Sequence, residues 1–177
     1  MTVPQKVGVV GGGRMGAGIA QVFAALGSTV VIAESADQKA ALGRVETGLA
    51  RAHERGKLTL SPAEVLSCVT TVASPADLPS DLDLVVEAVP EIPTLKVEVL
   101  SLIDKTVSTE TIIASNTSSI SIAELGVALK DPARFIGMHF FNPVPASTLV
   151  EIVRAPTTSA DVVERCLLYT SPSPRDS

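Results

Sequence analysis

The chain opens on a short, unbroken apolar run, Lys6-Val-Gly-Val-Val10, rich in β-branched residues. Such a run, without the alternation of a half-exposed strand, predicts a strand buried on both faces. It leads into Gly11-Gly-Gly-Arg-Met-Gly16, after which Met15, Ile19, Val22, Phe23 and Leu26 fall on one stripe of a helix that Gly27 stops. Thr29–Ala33 is the next predicted strand, ending at Glu34. Strand, turn, helix and strand in this order predict a right-handed βαβ unit. Ser35 and Gln38 have capping-box spacing for a helix carrying Leu42, Val45 and Leu49 inward, and Ser61-Pro-Ala-Glu64 repeats the signal for a short helix. Further strands are expected at Val69–Ala73, Leu82–Val86, Thr111–Ser115, Phe135–His139 and Leu149–Val153. Between them, Pro93–Thr106 reads as a helix with Leu95, Val99, Leu102 and Ile103 on its apolar face. This alternation implies an α/β domain with a mostly parallel sheet covered on both sides.

The pattern breaks near the end. From Leu167 the chain reads Leu-Leu-Tyr-Thr-Ser-Pro-Ser-Pro-Arg-Asp-Ser, where no helix continues beyond about Ser171. The division expected is a single domain over 1–166 and a Ser/Pro-rich tail over 167–177, disordered or non-native. At 177 residues the chain suits one domain, and 46% apolar against 19% charged residues is a globular composition. Fourteen basic and 19 acidic residues leave a net charge of −5, the wrong sign for an electrostatic nucleic-acid binder. No stretch approaches the apolar length of a membrane span, and the early first strand leaves no room for a signal peptide. A cytoplasmic protein is expected. Cys68 and Cys166 have neither CxxC nor metal-ligand spacing, so no metal is expected and both read as buried thiols in a reducing compartment.

The glycine turn narrows the chemistry. Gly11-x-Gly13-x-x-Gly16 lies between a strand and a helix, with an acid, Glu34, 23 residues past its first glycine. In a dinucleotide fingerprint the first glycine permits the tight turn, the second lets backbone approach a pyrophosphate, and the third allows close packing. The phosphates rest on unpaired N–H groups at the positive end of the helix, so Arg14 and Met15 are counted with Gly11, Gly13 and Gly16 as cofactor-binding. A carboxylate at Glu34 suits ribose hydroxyls and repels a 2′-phosphate, and Ser35-Ala36 offers no Arg to receive one. The reading is a Rossmann-type doubly wound sheet that binds NAD rather than NADP.

Four further segments are more specific. Gly11–Ala20 reads GGGRMGAGIA, Val86–Glu91 reads VEAVPE, Ser115–Ser119 reads SNTSS, and Gly137–Pro145 reads GMHFFNPVP, followed by Leu149-Val-Glu-Ile. In this order, across about residues 5–166, they resemble the NAD-binding domain of the L-3-hydroxyacyl-CoA dehydrogenases, the 3-hydroxybutyryl-CoA enzymes of fatty-acid and butanoate metabolism above all. The resemblance implies that His139 is the general base (and acid in the reverse direction) for the 3-hydroxyl proton. It implies that Glu151, twelve residues on, holds the imidazole and stabilises its cation, and that Ser118 hydrogen-bonds the substrate oxygen near the nicotinamide ribose. Glu91, Lys96 and Asn142 are implied to contact the cofactor, and Arg51, Arg55 and Lys57 lie where part of coenzyme A is placed. Histidine suits a base poised near neutral pH. Lys96 reads equally as a solvated helix charge, and the three basic residues as cations favoured at a helix C-terminus.

Two departures from the family stand out. Ala146-Ser147-Thr148 replaces a bulkier apolar stretch beside the substrate region, which bears on chain-length preference. The family also continues into an all-helical domain that closes the acyl pocket and forms a homodimer. That domain is missing here, so a truncated or misjoined frame is expected and a monomer stays open. The readings carried forward are an NAD-dependent oxidation of (S)-3-hydroxyacyl-CoA, a catalytically incompetent NAD-binding fragment, and a dehydrogenase of a different 3-hydroxy acid.

Overall fold

The computed structural model describes residues 3–147 and 149–170. In chain order the elements are β1 (Lys6–Val10), α1 (Arg14–Ala25), β2 (Thr29–Ala33), α2 (Gln38–Glu54), α3 (Pro62–Leu66) and β3 (Val69–Val72). Then come β4 (Leu84–Glu87), α4 (Pro93–Thr106), β5 (Ile112–Ser115), α5 (Ile122–Gly126), β6 (Phe135–Phe140), β7 (Val150–Val153) and α6 (Ala160–Thr170). The sheet order is β3-β2-β1-β4-β5-β6-β7. Every neighbouring pair is parallel except β6 and β7, which run antiparallel with His139 opposite Glu151. The chain is thus doubly wound, and its strand order reverses between β1 and β4, where a crevice opens at the carboxyl ends of the strands.

Alternate strand residues face two cores. Val7 and Val9 of β1, with Leu84 and Val86 of β4, pack against Ile19 and Phe23 of α1 and Val45 and Leu49 of α2. Val10, Val85 and Ile113 face the other way, against Leu100 and Ile103 of α4 and Leu125 of α5. This sheet is covered on both faces, and the near-continuous apolar strands are what such burial requires.

Local signals explain most boundaries. Gly27 ends α1 with a positive φ of +110°, and Ser28 N donates back to Phe23 O at 3.0 Å. Leu26 stands past the helix end and is 45% exposed, so it does not extend the buried stripe. Ser61 and Glu64 form the expected capping box of α3. The box expected at Ser35 and Gln38 does not form. Ala36 N is taken by the Glu34 carboxylate at 2.8 Å, and α2 starts only after Asp37, which caps Ala40 N at 2.9 Å.

Its inward stripe is Ala41, Val45 and Leu49, with Leu42 half-buried. In α4 the buried positions are Lys96, Leu100 and Ile103, whereas Leu95, Val99 and Leu102 are only half-buried. Leu100 was not anticipated, and neither was α5, although the Ser121 hydroxyl caps it by accepting Glu124 N at 3.4 Å. Cys166 is buried and its thiol is pushed up to about 12 by desolvation. Cys68 is only half-buried, against expectation, because it leads into β3, the strand at the sheet's edge. Residues 167–170 of the segment read as a tail belong to α6, and 171–177 lie outside the described residues.

Candidate active site

The glycine turn joins β1 to α1 at the mouth of the crevice. Gly11 has φ +101°, a left-handed conformation in which a side chain would also strike the Ala88 carbonyl. A Cβ on Gly16 would lie 1.7 Å from the Gly11 carbonyl oxygen, so the helix packs on the turn itself. A Cβ on Gly13 would meet nothing within 4 Å. No side chain caps α1 and no acid sits in its first turn, which leaves its first amides facing that open space. Those donors and that clearance fit a pyrophosphate.

Glu34 closes the adjacent side. Its two oxygens accept Gly12 N and Ala36 N, each at 2.8 Å. Each carboxylate oxygen has a second lone pair, so both still accept a ribose hydroxyl. Arg44 of α2, not anticipated as a site residue, donates to the Gly12 carbonyl at 2.7 Å and clamps the turn from the other side.

The crevice has a volume of about 670 Å³ and is lined by Gly11, Gly13, Arg14, Met15, Glu34, Glu91, Ser118, His139 and Asn142 among others. Nearly all of the residues expected at the cofactor therefore meet here. Gly16 supports the turn from behind. Lys96 is not at the crevice: its side chain is buried, with Nζ donating to Glu87 Oε2 at 2.7 Å, Val89 O at 3.2 Å and Asn116 O at 3.3 Å. It reaches the rim only through Glu91, 3.4 Å away.

Glu91 organises the loop after β5. It accepts Thr117 Oγ1 at 2.8 Å, Ser118 N at 3.0 Å, and the Ser118 and Ser119 hydroxyls at 3.3 Å. Partial burial works to raise its pKa, but the Thr117 and Ser118 hydrogen bonds and the Lys96 ammonium outweigh it and hold it at about 2. Asn116, also not anticipated, accepts Phe140 N at 2.9 Å with its side-chain oxygen and so ties β6 to the end of β5.

His139 lies at the end of β6 and Glu151 opposite it on β7. Nδ1 of the imidazole stands 3.9 Å from Glu151 Oε2, a facing charge pair rather than a hydrogen bond. Phe141 packs on the imidazole with ring centroids 4.5 Å apart. His139 and Ser118 also line a smaller cavity of about 310 Å³ that holds Glu151, Ile120 and Val153. The two side chains thus form a wall shared by the cofactor crevice and this second space.

A third cleft, about 880 Å³, lies between α1, α2 and residues 142–145 and shares Arg14 and Asn142 with the crevice. Arg14, Arg44 and Arg51 bring three guanidinium groups to it, while Arg55 and Lys57 do not line it. Among the described residues no cluster of three or more metal-ligating side chains occurs, and no helix is long and apolar enough to cross a membrane.

Comparison with known proteins places this geometry. A family model described as "3-hydroxyacyl-CoA dehydrogenase, NAD binding domain" matches residues 6–172. The probable 3-hydroxybutyryl-CoA dehydrogenase of Deinococcus radiodurans is 44% identical over 156 residues, which span 87% of this chain and 56% of that protein. The mitochondrial hydroxyacyl-coenzyme A dehydrogenase of Mus musculus is 42% identical over 169 residues, 90% of this chain and 54% of the mouse protein. The crystal structure of (S)-3-hydroxybutyryl-CoA dehydrogenase from Ralstonia eutropha superposes with a TM-score of 0.89 at 40% identity, covering 94% of this chain and 60% of that one. The chain spans about half the length of the curated relatives it matches.

Proposed function

The chain belongs to the 3-hydroxyacyl-CoA dehydrogenase family and carries its NAD-binding domain, and we propose that it serves the oxidation of (S)-3-hydroxyacyl-CoA thioesters to 3-oxoacyl-CoA. The observation that carries this reading is the His139–Glu151 pair, 3.9 Å apart across β6 and β7, with His139 at the wall of the crevice into which the glycine turn opens and Glu151 in the adjoining cavity. Bound NAD supplies the hydride acceptor, at its nicotinamide ring. His139 takes the proton of the C3 hydroxyl as the C3 hydrogen leaves with its electron pair, and the hydroxyl becomes a ketone. Glu151 faces the imidazole from the opposite strand, orients it and stabilises the imidazolium that results.

Ser118 donates to the substrate oxygen; its present bond to Glu91, at 3.3 Å, is long enough to exchange readily. Glu34 and Asn142 would hold the nucleotide from the lining of the crevice, and Glu91 fixes the Ser118 loop. The Arg14, Arg44 and Arg51 guanidiniums suit the phosphates of coenzyme A. On this reading residues 1–166 form the cofactor domain of a cytoplasmic enzyme, which the parent family completes as a homodimer through a helical domain.

The test follows NADH consumption with acetoacetyl-CoA and, separately, with free acetoacetate. Turnover of the thioester in preference to the free acid supports the proposal. Turnover of both alike points to a dehydrogenase of free 3-hydroxy acids. NADH binding without turnover between pH 5 and 9 leaves only the cofactor-binding module. The chain contains no Trp, so NADH fluorescence reads binding directly.

A further inference from the structure

One buried polar side chain is given no partner by the fold. Gln21 of α1 is only 4% exposed, and among the described residues its carboxamide makes no hydrogen bond. No described side-chain nitrogen or oxygen is both sealed from water and unpartnered. The small exposure that Gln21 keeps therefore lies at its amide, which opens into the cleft of about 880 Å³ that it lines. An amide carries an acceptor oxygen and two N–H donors, and a largely desolvated one without partners costs stability for which the fold shows no return.

The surroundings hold that amide in place. A Cβ on Gly48 of α2 would stand 2.0 Å from Gln21 Oε1, so the close approach of the α2 backbone fixes where the carboxamide lies. Ala17 and Gly18 of α1 keep the floor beside it shallow, and Pro143 and Pro145 form an apolar wall. At the polar margin stand the Arg14, Arg44 and Arg51 guanidiniums. Arg14 and Asn142 belong both to this cleft and to the crevice that contains His139, so the two spaces adjoin. A ligand matched to the cleft is long and narrow, with an apolar stem, an amide along it and phosphate groups for the arginines.

We propose that Gln21 is a specificity-determining residue whose carboxamide pairs with an amide of the pantetheine arm of the thioester substrate, where that arm runs from His139 past Asn142 toward the arginines. A carboxamide and a secondary amide are complementary, each offering a donor and an acceptor. A substrate without the arm leaves Gln21 unpaired, and a site built to hydrogen-bond a ligand rejects the analogue that lacks the matching group. The inference rests on the acyl-CoA reading above, and its test separates the two.

The full chain is compared with Gln21→Met by thermal midpoint and by calorimetric titration with acetoacetyl-CoA and with adenosine 3′,5′-bisphosphate, which carries phosphates but no arm. Methionine keeps the length of the side chain and removes an amide that has no protein partner, so the midpoint is retained. The variant binds acetoacetyl-CoA about tenfold more weakly and the bisphosphate as before. In the unaltered chain the Gln21 side-chain ¹⁵N–¹H signals shift with acetoacetyl-CoA and stay in place with the bisphosphate. Equal loss of both affinities overturns the proposal, as do Gln21 signals unmoved at saturating acetoacetyl-CoA. Shifted Gln21 signals without NADH consumption between pH 5 and 9 defeat the oxidation reading and leave this one standing. Turnover with unmoved signals defeats this one alone.

Discussion

His139 and Glu151 stand face to face because β7 returns antiparallel beside β6 and the register places them directly opposite. On our reading His139 carries the proton, and base catalysis of this kind is worth about 10²–10⁴ in rate. His139→Gln is expected to lower kcat by that factor, about 3–5 kcal/mol in the barrier, with NADH affinity unchanged in a fluorescence titration. A proportional loss of NADH affinity would instead make the imidazole a cofactor contact. Glu91 makes a different prediction. Its folded pKa of about 2 lies below the ordinary value of about 4.3 for a glutamate. Its contribution to stability is therefore complete above pH 4.3 and is lost as pH falls toward 2. Glu91→Gln should flatten the part of acid unfolding that falls in that window, as followed by circular dichroism. The sequence singled out the glycine turn, Glu34, Ser118, His139, Asn142 and Glu151, and the fold brings them to the crevice and the cavity beside it. Glu87, Asn116 and Arg44 were not singled out, because their partners lie 9 to 32 residues away and no local pattern encodes such a meeting.

At the scale of elements, α4 shows how periodicity can misplace a face. Leu95, Val99, Leu102 and Ile103 make a plausible apolar stripe, but the helix is rotated so that Lys96, Leu100 and Ile103 enter the core. The rotation accompanies the burial of the Lys96 ammonium against Glu87, a contact that outlives the apolar preference because an unpaired buried carboxylate is costly. Leu100→Ala should cost about 2–5 kcal/mol in denaturant unfolding, as for a fully buried leucine. Leu102→Ala, at a half-buried site, should cost less. The opposite ranking would restore the stripe read from periodicity. The start of α2 teaches a related lesson. Ser35 has the right spacing to cap, but the Glu34 carboxylate claims Ala36 N, and Asp37 takes over the cap.

Across the whole molecule, charge is distributed against its sum. The chain carries a net charge of −5, yet Arg14, Arg44 and Arg51 converge on one cleft. If this cleft receives the phosphates of coenzyme A, the KM for acetoacetyl-CoA should rise several-fold between low salt and about 0.5 M, where screening shortens the reach of exposed charges to a few ångströms. A salt-independent KM would place the phosphates elsewhere. The doubly wound class, the dinucleotide turn, most strands and the family were determined by the sequence alone. Each rests on local spacing: β-branched runs, glycines at fixed intervals, and short motifs in order. The tertiary structure alone decided which face of α4 turns inward, where the ammonium of Lys96 goes, and that His139 and Ser118 form a wall between two cavities. Those outcomes depend on which strand ends become neighbours when the sheet closes, and on the cost of leaving a buried charge without a partner.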